Sequence, residues 1–230
     1  MFPRPTFFAS ARLNFAENLL FPANAPHLDP DSPAILAATE SAREAVTWRQ
    51  LRSRVARCQK ALRDAGVAEH DRVAGYVGNH ANAIVAMLAV TSLGAIWTAI
   101  SPDSGVSMVL DRLKQIGPKV LFADDGQVYN GKTFSVLGKV GEILGHLDSV
   151  ETCLVFDVVG GSLEHVRKEG KRADLLAYEE LEAMKGEEPE LEFKQLEADH
   201  PVYILYSSGT TGAPKCIVHG GESSPPHQSW

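Results

Sequence analysis

Cysteine is scarce in this chain, and what there is does not pair. Cys58, Cys153 and Cys216 are odd in number, far apart and never in a CxxC arrangement. That excludes a disulfide framework and a cysteine-built zinc site, and points to a reducing compartment. No uninterrupted apolar run approaches the roughly 20 residues that a helical membrane span needs. A basic surplus is missing as well. The formal net charge is −7, which speaks against nucleic acid or an anionic membrane surface as partner, since both demand a basic face. Backbone amides and one lysine can still hold an anion locally without registering in that total. Neither an internal repeat nor a low-complexity tract interrupts the 230 residues, a length for one large domain or one and a half ordinary ones. The first residues carry Arg4 and Arg12 and no acid before Glu17, a balance faintly like a transit peptide. Pro3 and Pro5 break it, and the expected location is cytoplasmic.

What is present alternates. Residues 1–31 read as an extended arm whose ARLNFAENLL portion forms one short helix. Trp48, Leu51, Val55, Cys58 and Leu62 recur at spacings of three and four, one face of a helix capped by Thr47 and ended near Gly66. The basic residues between them, Arg49, Arg52, Arg54, Arg57, Lys60 and Arg63, read as a solvated face. RVAGYV (72–77), IWTAIS (96–101), KVLFA (119–123) and ETCLVFDVV (151–159) read as buried strands. Between the first three lie a helix that Asn79 caps and a second helix that the Ser101-Pro102-Asp103 turn caps and Gly117-Pro118 ends. A less regular helix is expected over 134–147. Strands alternating with helices of this length predict an α/β fold with a parallel or mixed sheet flanked by helices. Residues 160–200 are dense in charge and read as a solvated connector, with a short surface helix over 177–185. PVYILYSS (201–208) returns to strand character.

That strand delivers the chain into Ser207-Ser208-Gly209-Thr210-Thr211-Gly212-Ala213-Pro214-Lys215. Glycines let successive N–H groups converge on one anion, hydroxyls add neutral donors, and lysine adds a mobile positive charge. A plain hairpin tip would share the small residues, but not a run this long without an acid and ending in Pro-Lys. A Walker A loop is excluded, because Pro214 stands where its second glycine belongs and Cys216 where its magnesium-binding hydroxyl belongs. The following CIVH is strand-like rather than a helix start, and the dinucleotide GxGxxG fingerprint is also absent.

Residues 207–215 resemble, throughout, the phosphate-binding signature Ser/Thr-Ser-Gly-Thr-Thr-Gly-x-Pro-Lys of the adenylate-forming superfamily. That superfamily comprises acyl-CoA synthetases, luciferases and peptide-synthetase adenylation domains. ARLNFAENLL, TWRQLRSRVARCQKALRDAGV, DRVAGYVGN and residues 94–122 extend the likeness from about Ala11 to Gly220. Trp97 to Arg112 look most like the acetoacetate-activating branch, rather than its acetate-activating relatives. The resemblance implies the large N-terminal domain of the adenylate-forming fold, with Mg²⁺-ATP and CoA as co-substrates. It implies a two-step reaction through an acyl-adenylate, and binding of departing pyrophosphate by Ser207, Ser208, Gly209, Thr210, Thr211, Gly212 and Lys215. No catalytic residue and no metal ligand is assigned to this chain. His219 falls where the family often carries a histidine near the nucleotide or acyl pocket, and equally where a core strand would end. Trp97 reads as core, and Cys216 carries no expected reactivity.

The family's later motifs, for magnesium, ribose, adenine and the catalytic lysine, have no counterpart before Trp230. The expectation is therefore an incomplete fold: an arm over 1–31, a partial synthetase domain over 32–220 and an atypical polar tail over 221–230. Such a chain is expected to be catalytically inactive alone and poorly soluble, with apolar surface left uncovered. A fragment of another short-chain acyl-CoA synthetase, or a non-catalytic nucleotide-binding or regulatory fragment, are the alternatives.

Overall fold

In the computed structural model, residues 8, 10–40, 43–164, 166, 173–182, 189–207 and 214–221 are described. In chain order the principal elements are β1 (Arg12–Leu13), α1 (Phe15–Leu20), β2 (Pro33–Ala38), β3 (Arg43–Thr47), α2 (Trp48–Asp64) and β4 (Arg72–Tyr76). Next come α3 (Ala81–Ser92), β5 (Ile96–Ile100), α4 (Val106–Ile116), β6 (Val120–Asp124), β7 (Gly126–Tyr129), β8 (Lys132–Ser135) and α5 (Leu137–Leu144). The chain continues through β9 (Thr152–Phe156), β10 (Asp174–Ala177), a one-turn helix Tyr178–Glu182, β11 (Leu196–Glu197), β12 (Pro201–Ser207) and β13 (Lys215–Gly220).

One seven-stranded sheet organises the molecule, in the order β10-β9-β6-β4-β5-β12-β13. Every neighbouring pair is parallel except β12–β13. Side chains alternate across a strand, and here both faces are apolar. Val73, Val120, Phe122, Leu154 and Phe156 join α2 and α3 in one core; Ala74, Tyr76, Leu121, Ala123, Cys153 and Val155 join α4 and α5 in the other. The chain runs from β4 through α3 to β5, then back across through α4 to β6. A right-handed crossover in each direction puts the two helices on opposite faces. Trp97, 6% exposed, is core as expected.

Helix α2 begins as its sequence dictates. Thr47 accepts from the Gln50 N–H while the Gln50 side chain accepts from the Thr47 N–H, a reciprocal cap whose loss costs about 1 kcal/mol. Its basic run is more than a solvated face. Arg49 pairs with Asp31, Arg54 with Glu44 and Arg63 with Glu192, while Arg52 donates to the Leu20 carbonyl and lies 4.3 Å over the Phe21 ring. These contacts tie α2 to the arm, the β2–β3 hairpin and the connector, although each exposed pair contributes little alone.

The caps expected for α3 and α4 are corrected. The N-cap of α3 is His80, not Asn79, and its ring turns instead to Asp124 at 2.9 Å. The N-cap of α4 is Gly105, with no side-chain cap. The preceding Ser101–Ser104 turn is held through its carbonyls, as the Tyr76 hydroxyl lies 2.7 Å from Pro102 O and 2.8 Å from Ser104 O. Gly117 ends α4 at φ 56°, as expected of a left-handed C-terminal residue. Phe134, read as helical, lies in the β7–β8 hairpin instead. Asn130 and Gly131 turn that hairpin at φ 50° and 69°, the two positive values a two-residue turn requires. The charged connector also supplies strands, β10 beside β9 and β11 beside β1. No helix among the described residues is long and apolar enough to cross a membrane.

Candidate functional site

Strand β12 runs parallel to β5, with Tyr203 beside Trp97, so its C-terminal end points the same way as those of the other parallel strands. Ligand loops of open α/β sheets gather at that end. There β12 stops at Ser207, and the chain re-enters the sheet at Lys215 as antiparallel β13. Ser207 and Lys215 are directly opposed in the ladder, so their side chains share a face. Of the predicted phosphate-binding set, these two are placed together. Ser208, Gly209, Thr210, Thr211 and Gly212 lie outside the described residues.

The two faces of the hairpin differ. Leu205 and Ile217 share the face of Ser207 and Lys215, at 50% and 44% exposure, an apolar strip beside the hydroxyl and the ammonium. Farther along that face His219 stacks on Tyr203, with ring centroids 5.0 Å apart, and Phe15 meets Tyr203 edge-on. Four residues of strand, about 13 Å, separate His219 from Lys215. Its place is that of a packed strand-end histidine.

The other face rests on α4. Gln115 Nε2 donates to the Pro214 carbonyl at 3.0 Å, and Cys216 Sγ lies 3.4 Å from Gln115 Oε1. The Tyr206 hydroxyl donates to Arg112 O at 3.3 Å, and the Arg112 guanidinium lies 5.6 Å from the Tyr206 ring centroid. Met108, Arg112 and Gln115 follow one helical face, and Arg112 is held there by the Met108 carbonyl at 2.9 Å. Thus α4 grips both margins of the loop through Tyr206 and Pro214. Sequence reasoning missed this support, because Gln115 and Pro214 are distant in the chain and only the helical spacing of Gln115 hints at it.

Burial, followed by the neighbouring Cys216, pushes the Tyr206 phenol up to about 12. In a spectrophotometric titration, the band lost on Tyr206→Phe should therefore ionise near pH 12, well above the usual 10. Because the folded state favours the neutral phenol, its contribution to stability is full below about pH 10 and is lost as pH rises beyond that unfolded-state value. Ionisation of that band at pH 10 would place the ring in solvent rather than against α4.

At the reversal of strand order between β4 and β6, Asp124 is 1% exposed. One carboxylate oxygen accepts from Gly78 N–H at 2.8 Å, and the other meets His80. That carboxylate ties the end of β6 to the turn into α3.

Residues 23–223 match the family described as AMP-binding enzyme. A malonamoyl-CoA synthetase of Penicillium aethiopicum is 50% identical over 96% of this chain and 31% of its own length. An acetoacetyl-CoA synthetase of Gallus gallus is 43% identical over 94% of this chain and 32% of its own. Among solved structures, acetoacetyl-CoA synthetase from Streptomyces lividans superposes with a TM-score of 0.80 at 37% identity, covering 91% of this chain and 30% of that one. The chain spans about a third of the length of the relatives it matches.

Proposed function

This chain belongs to the AMP-binding enzyme family, and on that premise we propose that it supplies the pyrophosphate clamp of a short-chain acid–CoA ligase. The observation that carries the reading is the β12–β13 hairpin. It opposes Ser207 to Lys215 across the ends of a Ser/Gly/Thr loop and braces both margins on α4. In the reaction, an acid carboxylate attacks the α-phosphate of Mg²⁺-ATP, giving an acyl-adenylate and pyrophosphate. The CoA thiol then displaces AMP. Negative charge grows on the departing pyrophosphate in the first step, and donors fixed in advance around that charge favour the transition state over the ground state. Ser207, Ser208, Gly209, Thr210, Thr211, Gly212 and Lys215 are that donor set, and Mg²⁺ shares the phosphate charge.

The acid class follows from the names of the relatives. Acetoacetate and malonamate have the same skeleton, a carboxylate, a methylene and a β-carbonyl, and differ only in a terminal methyl or amide nitrogen. We therefore assign a short β-carbonyl acid, with acetoacetate first and malonamate the second reading, the latter favoured by the 50% identity. A chimera tests the β-carbonyl class, with residues 11–220 of this chain replacing the matching segment of the Streptomyces lividans protein. Acid-dependent ATP–pyrophosphate exchange is expected with acetoacetate or malonamate and not with acetate. A folded chimera without exchange on either β-carbonyl acid, or with acetate preferred, overturns the assignment.

A further inference from the structure

At the opposite end of the strands from the phosphate loop, below the N-terminal ends of β4, β5 and β12, lies a cleft of about 460 Å³. Glu69 and His70 enter it from the loop before β4, and His200 enters from the turn before β12. We propose that Glu69, His70 and His200 form a binding site for a divalent cation of the zinc class. The reading is independent of the phosphate loop.

The geometry starts with His200, which is 8% exposed. Its Nε2 lies 2.8 Å from the Gly94 carbonyl, which can only accept, so Nε2 carries the hydrogen. The same carbonyl takes the backbone N–H of His70 at 3.0 Å. In the neutral ring the lone pair therefore sits on Nδ1, pointing into the cleft. Nδ1 stands 3.8 Å from Glu69 Oε1, beyond a hydrogen bond. A ring nitrogen with its opposite N–H held by a backbone carbonyl is how metal-binding histidines are oriented.

Two further donors converge on the same space. His70 Nε2 is 3.5 Å from Glu69 Oε1, and the three donor atoms all lie within 4.8 Å of one another. Separations of 3.5 and 3.8 Å approach the roughly 3.4 Å between ligands on a tetrahedral ion with bonds of about 2.1 Å. Lys194 takes the other oxygen, Oε2, at 2.6 Å. That contact fixes the carboxylate with Oε1 facing the imidazoles, and holds the Glu69 carboxyl below its usual range. The ammonium does not reverse the charge of the cleft, because Glu69, Glu197 and Asp199 line it against Arg12 and Lys194. Two imidazoles and one carboxylate suit zinc, nickel, cobalt or copper better than calcium or magnesium, which favour all-oxygen sets. A bound ion would tie the loop before β4 to the turn before β12, and so brace the strand that leads to the phosphate loop.

The test is calorimetric titration of the tag-free 230-residue chain with Zn²⁺, repeated with Co²⁺ followed by visible absorption. One saturable ion per chain is expected, with the intense Co²⁺ bands of low coordination. His70 is exposed and holds φ 66°, so His70→Asn, which tolerates that left-handed conformation, removes the imidazole with the fold intact; Glu69→Gln keeps the volume and hydrogen-bonding reach. Each should weaken Zn²⁺ binding by at least about tenfold, since even partners behind the ligands are worth 10–100-fold. Unchanged affinity in both folded variants, or no saturable event in the parent chain, overturns the proposal. Lys215→Ala should leave the titration unchanged.

Discussion

Lys215→Ala lowers ATP–pyrophosphate exchange about 10²–10³-fold in the chimera that carries residues 11–220, and leaves its fold intact. The size is that of removing one well-placed donor to developing charge. The fold survives because Lys215 opens β13, the edge strand of the sheet, with its side chain exposed. In the 230-residue chain the same substitution should weaken pyrophosphate binding roughly 10–100-fold, the worth of a charge-assisted hydrogen bond of 1.5–3 kcal/mol. Lys215→Arg tests what kind of charge is needed. A planar guanidinium keeps the charge but not the compact ammonium, and partial recovery is expected. Wild-type pyrophosphate affinity in Lys215→Ala would remove lysine from the clamp and leave Ser207 and the loop amides to act alone.

A loop of this kind is legible because its chemistry is contiguous. The phosphate-binding reading of Ser207 to Lys215 rests on their order alone, while the strands on either side follow from PVYILYSS and CIVH. The geometry adds what order cannot express, that Ser207 and Lys215 face each other across a ladder. Gln115 and Arg112, which brace the loop, were invisible for the opposite reason. They come from a helix far upstream, and their role exists only once α4 packs on the hairpin. His200 was likewise silent, as it meets Glu69 and His70 only after β12 inserts beside β5.

The fold divides along similar lines. The buried strands β4, β5, β6 and β9 were readable as short apolar runs, and α2 from its period and cap. The β7–β8 hairpin was missed although Asn130-Gly131 announces it, because the apolar residues around it also fit a loose helix. β10 was missed because Leu175 and Leu176 sit among charges, and only pairing with β9 makes Asp174–Ala177 a strand. The caps failed where tertiary partners intervened. Asp124 claims the His80 ring and the Gly78 N–H, and this sets where α3 begins.

The arm is the clearest case of sequence understating structure, and Asn14→Ala measures by how much. Asn14 is fully buried. Its amide nitrogen lies 3.3, 3.0 and 2.9 Å from the carbonyls of Thr91, Ser92 and Lys194, and its oxygen caps α1 through Glu17 N–H at 3.1 Å. One side chain thus joins α1, the end of α3 and the segment leading to β11. The Thr91 and Ser92 carbonyls keep second partners in the N–H groups of Gly94 and Lys194. The substitution therefore removes one cap, about 1 kcal/mol, and deprives the Lys194 carbonyl of its amide donor, about 1–3 kcal/mol. Urea unfolding should show a loss of about 3 kcal/mol with the slope unchanged. Asn14→Asp should lose more at neutral pH. It keeps the cap for Glu17 but turns a carboxylate towards the three carbonyls that the amide had served. A loss below 1 kcal/mol in Asn14→Ala would mean that the arm is seated by Ala16 and Leu20 alone, whose apolar burial against α3 the substitution leaves in place.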